Sequence, residues 1–371
     1  MMHITCEKNI LAAALNLVQR AVALRSPLPT LKGVLLETGE NCLILSTTDL
    51  DFGIKCKVVT QINEHGAIVL PAKLLTEFVR KLPEGMVTIK SETDNPLKVN
   101  VSCGPILFEL AGFSSEEFPR LPSVENPVGK IAISEGLLKE MLAQTEVAMA
   151  RDETRPVLTG LLLETEAQKI KLAATDGHRL AFRQAASEED DQIKGIIPGK
   201  AVLELIKILD EDHEKQVSIS IDRTNIVFAL EGLVLSSRLI EGKYPPYQQI
   251  IPTDFKTSLA VDTKSLLAAL ERAEIIVREG GNNLVKLEIS PEGIKIMAIN
   301  QDVGSFQDFI KAEVQGEPLE IRFNVRLLLD CLRNIKDAEV NLDLTGPYSP
   351  CMIRPVQDLN YLHLVLPVRI S

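Results

Sequence analysis

The chain has no tryptophan, and aromatic residues make up only 4% of its 371 positions. Hydrophobic residues still reach 45%, so any core is aliphatic. Charges break every apolar run well before the ~20 residues that a membrane-spanning helix needs. The five histidines stand in no ligand spacing, which leaves a metal site without a signature and no cofactor implied. The six cysteines, at 6, 42, 56, 103, 331 and 351, include no Cys-x-x-Cys pair. That pattern predicts reduced, mostly core thiols in a cytosolic protein. The opening Met1-Met2-His3-Ile4-Thr5-Cys6 has no basic stretch followed by an apolar one, so no signal peptide is expected. Residues 195–200 carry the glycine and lysine of a phosphate loop without its spacing, and Ala201 stands where a Ser or Thr belongs. The net charge of -11 argues that the average surface does not attract nucleic acid.

What the chain does have is internal repetition. Gly33-Val34-Leu35-Leu36-Glu37-Thr38 matches Gly160-Leu161-Leu162-Leu163-Glu164-Thr165 at an offset of 127. Thr48-Asp49 matches Thr175-Asp176, and Pro71-Ala72-Lys73 matches Pro198-Gly199-Lys200, at the same offset. A fainter third copy follows, with Asp302 and Asn324 each 126 residues after Asp176 and Pro198. Self-similarity at a fixed period predicts one structural unit used three times.

Each unit opens on an amphipathic helix pattern: Leu11, Leu15, Val18 and Val22; then Leu138, Met141, Leu142 and Met149; then Leu267, Leu270, Ala273 and Val277. Short β-rich runs follow, such as 34–37, 43–46 and 52–58. A second helix comes next, with Pro at its first turn in two copies. Its apolar positions Leu75, Phe78, Val79 and Leu82 recur as Val202, Leu205, Ile206 and Leu209, and as Leu328, Cys331, Leu332 and Ile335. Phe118-Pro119 and Tyr244-Pro245-Pro246 punctuate the ends of the first two units and read as linkers. The expected architecture is α+β, in three repeated domains at 1–127, 128–253 and 254–371, each with two helices packed on antiparallel sheets.

Charge is unevenly spread. Arg25, Lys73, Arg80, Arg151, Lys200, Lys207 and Arg278 fall on or beside the helices, while acids gather elsewhere, as in the run 188–191, read as a solvated loop. The stretch Thr175-Asp176-Gly177-His178-Arg179-Leu180 is a turn between two strands, with Gly177 supplying the permissive backbone. Asp176, His178 and Arg179 put an acid, a base and a cation at one corner. An enzyme or a small-ligand receptor using that corner is the alternative reading.

Four runs, in their order and spacing, resemble the bacterial DNA sliding clamp family, the β subunit of DNA polymerase III. They are Arg155-Pro156-Val157-Leu158-Thr159-Gly160, Ala-Thr-Asp-Gly-His-Arg-Leu at 174–180, Phe323-Asn324-Val325, and Leu366-Pro367-Val368-Arg369. The resemblance spans the whole chain. It implies a head-to-tail homodimer closed into a ring, with helices lining a hole that double-stranded DNA threads without sequence preference. It implies no catalysis, no membrane and a cytoplasmic location. It also implies partners: a replicative DNA polymerase, a clamp loader and repair proteins, each holding the ring through a short hydrophobic peptide motif. The matching pocket positions are Leu158, Thr175, Gly177, His178, Arg179, Leu180, Pro245, Gln249, Ile250, Asn324, Leu327, Tyr348, Leu366, Pro367, Val368 and Arg369. Gln249 stands where some members have Arg, and Leu327 where some have Tyr. The cations named above become the DNA contacts, and Ile106, Leu107 and Phe108 would face Ile275 and Ile276 across the dimer contact.

Overall fold

A computed structural model describes residues 2–369 apart from Leu24, Asp190, Gly280 and Asn282. Strands such as Lys98–Cys103, Gln216–Ile221 and Leu284–Ser290 alternate fully buried with less buried residues, as a sheet with one better-covered face imposes, while Gly33–Thr38 and Gly160–Glu166 are buried over most of their length. The first repeat contains β1 (His3–Glu7), α1 (Lys8–Val18), β2 (Gly33–Thr38), β3 (Cys42–Thr48), β4 (Phe52–Val59), β5 (Gln61–Glu64), β6 (Ala67–Pro71), α2 (Ala72–Lys81), β7 (Met86–Ser91), β8 (Lys98–Cys103) and β9 (Ile106–Ala111). The second contains β10 (Gly129–Ser134), α3 (Glu135–Glu146), β11 (Gly160–Glu166), β12 (Lys169–Thr175), β13 (Arg179–Ala186), β14 (Lys194–Pro198), α4 (Gly199–Ile208), β15 (Gln216–Ile221), β16 (Asn225–Leu230) and β17 (Leu233–Arg238). The third contains β18 (Thr257–Asp262), α5 (Thr263–Arg278), β19 (Leu284–Ser290), β20 (Gly293–Asn300), β21 (Gly304–Ile310), β22 (Glu313–Gly316), β23 (Leu319–Asn324), α6 (Val325–Leu332), β24 (Glu339–Leu344), β25 (Cys351–Pro355) and β26 (Tyr361–Val365).

Two compact units form, and their border cuts through the second repeat. One comprises Met1–Glu135 with Lys207–Leu239, the other Gly136–Ile206 with Ile240–Ser371. The first unit holds a sheet in the order β10-β15-β16-β17-β4-β3-β2-β6 and a second in the order β5-β1-β7-β8-β9. The other unit holds β14-β11-β12-β13-β26-β25-β24-β18-β22 and β21-β20-β19-β23. The long sheets are continuous because strands of consecutive repeats pair antiparallel. Phe52 of β4 lies opposite Ser237 of β17, and Arg179 of β13 lies opposite Val365 of β26.

Local chemistry explains the repeat anchors. A Cβ on Gly33 would meet Val69 Cγ1 at 2.3 Å, and one on Gly160 would meet the Ile197 carbonyl at 2.6 Å. Both glycines pair with a proline, Gly33 with Pro71 and Gly160 with Pro198. Those prolines therefore end strands β6 and β14 instead of sitting in the first turn of α2 and α4. Pro71 has φ -56° and ψ 108°, a non-helical backbone held by its pairing with Gly33. The first helix also stops earlier than its periodicity suggests: Val18 ends α1, a 3-10 turn covers Gln19–Ala21, and Val22 is extended. Asp262 caps α5 by accepting the Ser265 amide at 2.7 Å, and Asn324 caps α6 by accepting the Arg326 amide at 3.1 Å.

In the first unit Leu11, Leu15 and Val18 of α1 are buried together with Leu75 and Val79 of α2 and with Leu43, Leu45, Phe52 and Ile54 of β3 and β4. In the other, α5 buries Leu266, Ala269, Leu270, Ala273 and Val277 in a cluster shared with α6 and β18–β20. All six cysteines are free. Glu188 and Asp191 of the acidic run are exposed, and Asp190 lies outside the described residues. No helix of the described residues is long and apolar enough to cross a membrane.

Candidate functional site

The corner at 175–180 joins β12 to β13 by a turn that the sequence makes obligatory. Gly177 has φ +90°, and a Cβ there would stand 2.9 Å from Arg155 Nη1. A side chain is disfavoured on both counts. The Asp176 carboxylate closes the turn: Oδ1 accepts the amides of His178 at 2.8 Å and Arg179 at 3.0 Å. The Thr175 hydroxyl donates to the Arg179 carbonyl at 2.6 Å and accepts the Gly177 amide at 3.1 Å. Arg155 Nη2 donates to the Asp176 carbonyl at 2.8 Å, and the Thr175 amide donates to the Tyr244 hydroxyl at 3.0 Å.

Arg179 is the buried member of the corner. Its guanidinium donates from Nε to Asp176 Oδ2 at 3.1 Å and from Nη1 to Asp330 Oδ2 at 2.7 Å. Desolvation opposes its charge, but the Asp330 and Asp176 carboxylates outweigh that and raise its pKa. The charge of Arg179 is thus committed to structure, linking β13 of the second repeat to α6 of the third. Asp176 is spent in the same contacts, which leaves the corner no acid poised beside His178. Asp330 also borders a cavity of about 540 Å³ with Glu146, Arg151 and Thr159. Burial pushes the Glu146 carboxyl up there, against the opposing charges of Arg151 and Arg179.

On the other face of the same strands lies an apolar cluster. Leu158, Leu162, Ala173, Leu180 and Ile196 come from the second repeat, Met352 and Leu364 from the third, and Tyr244 and Tyr247 from the linker. The chain end runs beside it. Leu366 donates its amide to the His178 carbonyl at 2.9 Å, and Val368 donates to the Arg322 carbonyl at 2.8 Å, next to Asn324. Of the other candidate pocket residues, His178, Pro245, Gln249, Ile250, Tyr348, Leu366, Val368 and Arg369 are exposed, and Asn324, Leu327 and Pro367 half-buried.

The hydrogen bonds and the shared cluster therefore bring together Leu158, Thr175, Gly177, His178, Arg179, Leu180 and Leu366, whereas Val368 is bonded to β23 at Arg322. Pro245, Gln249 and Ile250 are carried by the linker that Tyr244 and Tyr247 anchor. Tyr348 stands on the loop between β24 and β25. Sequence reasoning missed three members of the corner. Arg155 has a signal, since it opens the run 155–160 that also holds Leu158. Tyr244 was read as punctuation. Asp330, 151 residues from Arg179, had none.

Candidate cations Arg25, Lys73, Arg80, Arg151, Lys200, Lys207 and Arg278 are all exposed. Arg278 lies 3.8 Å from Glu279. Of the candidate contact residues, Leu107 is 62% exposed and Ile275 58%, whereas Phe108 is half-buried, stacked on Phe78 with ring centroids 4.3 Å apart, and Ile276 packs on the core of its unit.

Three consecutive family matches cover nearly the whole chain: the DNA polymerase III beta subunit N-terminal domain over residues 2–122, its central domain over 132–246, and its C-terminal domain over 248–369. The chain belongs to that family. Among its relatives are the beta sliding clamp of Bacillus subtilis, 36% identical over 380 residues with 99% of this chain and all of the relative covered, and that of Synechococcus elongatus, 36% identical with both chains fully covered. The crystal structure of the DNA polymerase sliding clamp from Bacillus subtilis superposes over the full length of both chains with a TM-score of 0.95 at 34% identity. A Pseudomonas aeruginosa DnaN sliding clamp bound to griselimycin does so with a TM-score of 0.92 at 29% identity.

The strand paired with β13 carries a pH-sensitive group. His363 lies opposite Ala181 in the ladder, is fully buried, and has Nε2 2.5 Å from the Tyr361 hydroxyl. Burial, aided by the nearby Arg179 charge, lowers its pKa from 6.5 to about 3. The unfolded chain therefore takes up a proton that the folded chain refuses. The stability contribution is whole above about pH 6.5 and is lost as the pH falls toward 3, by roughly 1.4 kcal/mol per pH unit. Denaturant titrations between pH 6 and pH 4 will show a shallower stability loss for His363→Leu than for the unaltered protein; parallel slopes would refute the assignment.

Proposed function

We propose that this protein is a DNA sliding clamp: two copies close head to tail into a ring around duplex DNA and tether a replicative polymerase to it. The observation that carries this reading is which strand edges remain unpaired. The strand after each corner, β4 and then β13, pairs with the last strand of the following repeat, β17 and then β26. The third counterpart of β4 is β21, which is bonded only to β20, and the first counterpart of β17 is β9, bonded only to β8. Both are edges, and both carry exposed apolar groups: Leu107 on β9, Phe309 on β21 and Ile275 on the adjacent α5. An exposed hydrophobic edge is a liability unless it is covered. Pairing β9 with β21 of a second copy continues the pattern of the other two junctions, and a head-to-tail contact that closes makes a ring. Ile106, Phe108 and Ile276 belong to this contact.

On this reading the chain is three clamp domains at 1–127, 128–253 and 254–371, without catalysis, working in the cytoplasm. A tether must hold DNA without reading it, so its contacts go to phosphates through Arg25, Lys73, Arg80, Arg151, Lys200, Lys207 and Arg278. Enclosure gives long residence without tight affinity, and a tethered polymerase rebinds as if intramolecularly. The apolar cluster beside the corner, with its polar rim, suits a short peptide anchored by Leu or Phe side chains, presented by the polymerase, the clamp loader or repair proteins. Arg179 braces it from the opposite face, the other fifteen pocket positions from Leu158 to Arg369 named above line it, and Arg155 and Tyr244 hold its turn.

Three experiments test these assignments. Leu107→Asp places a charge on the β9 edge; sedimentation will show a monomer, and retention on nicked circular DNA will be lost, while the unaltered protein stays on the circle and slides off after linearisation. A dimer unaffected by Leu107→Asp contradicts the edge pairing. In a fluorescence titration, His178→Ala or removal of residues 366–371 will weaken a hydrophobic clamp-binding peptide by about tenfold and leave the dimer intact; unchanged affinity in both rejects the pocket. Lys73→Ala will lower DNA loading and flatten its dependence on log salt by about 0.9 per lost phosphate contact, and a slope that does not change removes Lys73 from the DNA contacts.

A further inference from the structure

The two long sheets present the same row of four side chains, furnished differently. In the second unit the row runs Leu162, Ala173, Phe182 and Leu362, each directly opposite the next across β11, β12, β13 and β26. All four are apolar, and the linker fills the space above them, with Tyr247 5.5 Å from Phe182 ring to ring. In the first unit the row runs Leu35, Ser46, Lys55 and Val234 across β2, β3, β4 and β17. Directly opposite residues share one face of the sheet. Thr47 donates to the Val18 carbonyl of α1, so by alternation Ser46 and its row face away from that helix.

Above this second row the linker does not fill the space. A cavity of about 560 Å³ remains between the row and residues 118–124, with Leu35, Leu121, Val227 and Val234 as apolar walls. That volume lies within the range of ligand sites. Three of its polar groups, Ser46, Lys55 and Glu37, stand apart from the hydrogen bond that Ser236 donates to the Gly53 carbonyl at 3.5 Å. Ser46 is 1% exposed, and its hydroxyl makes no hydrogen bond. Lys55 and Glu37 line the cavity and form no ion pair with any described residue. The counterpart of Glu37 is fully engaged: Glu164 accepts from Tyr247 at 2.7 Å, Gln248 at 3.1 Å and Lys194 at 2.8 Å. A buried hydroxyl without a partner costs stability, so its presence in a formed cavity points to a group arriving from outside.

We propose that this cavity is a second docking groove, taking an extended segment of a partner protein that carries one carboxylate beside apolar side chains. Lys55, central in the row, binds the carboxylate. Glu37 accepts a backbone amide of the segment, the Ser46 hydroxyl pairs with its backbone, and Leu35, Leu121 and Val234 hold the apolar side chains. An extended peptide offers alternating donors and acceptors, which is the complement of an acid, a hydroxyl and a cation set along one sheet face. This groove lies in the first compact unit and shares no residue with the pocket at 175–180.

The probe is a set of capped, fluorescent hexapeptides containing one Asp flanked by Leu and Phe, with Asn-for-Asp and Lys-for-Asp versions. Binding is measured on the full chain carrying His178→Ala, so that the corner pocket is weakened, and again with Lys55→Glu or Ser236→Leu added. Ser236→Leu introduces the residue found at the counterpart position, Leu364. The expected result is saturable binding of an Asp peptide, about tenfold weaker with Lys55→Glu and with the Asn version. The Lys version restores binding to the Lys55→Glu protein, which also shows that this variant folds, and Ser236→Leu blocks all versions. Absence of saturable binding to the His178→Ala chain, or equal affinity with Lys55→Glu, overturns the proposal and leaves the corner pocket untouched.

Discussion

Backbone amides and carbonyls at a strand edge demand a partner, and that demand organises this protein. Each repeat supplies an opening group of strands and a closing group, and the opening group completes its ladder with the closing group of the repeat that follows. The pairings β4 with β17 and β13 with β26 weld consecutive repeats into two continuous sheets. For this reason the compact units do not coincide with the repeats: the second repeat gives its closing strands to one unit and its opening strands to the other. The chain ends with one edge strand of each kind left over, and the proposed ring is the arrangement that satisfies them.

The corner shows how the same junction acquires a specific surface. Only the middle repeat has a histidine and an arginine after the turn aspartate. Arg179 is drawn inward by Asp176 and Asp330, so a charge-assisted contact spans two repeats. Losing both acids would strand a largely buried cation, which is costly. Its commitment leaves the rim to His178 and the terminal strand and the interior to leucines and tyrosines. The result is an apolar cluster with a polar edge, beside which Asp176 and Arg179 of the Asp, His and Arg trio are engaged with each other.

Repetition also exposes where the copies depart from each other. The row Leu162, Ala173, Phe182 and Leu362 is closed by linker aromatics, and the row Leu35, Ser46, Lys55 and Val234 stays open with two polar members. Identical backbone pairing thus supports two surfaces of different chemistry. A chain with net charge -11 likewise keeps exposed cations on and beside its helices, so the average charge says little about any one face.

The sequence by itself determined the threefold repeat, the order of helices and strands and the corner turn, because these rest on periodicity, on glycine's backbone freedom and on local side-chain caps. It placed Gly177 in a role that local geometry enforces. It could not reveal that Arg179 would meet Asp330, that His363 would be held neutral in the core, or that the second repeat would be divided between two units. Those outcomes depend on ladders and ion pairs between residues more than a hundred positions apart, whose proximity carries no local signature. Tertiary structure alone decided which strand edges found partners within the chain and which were left over.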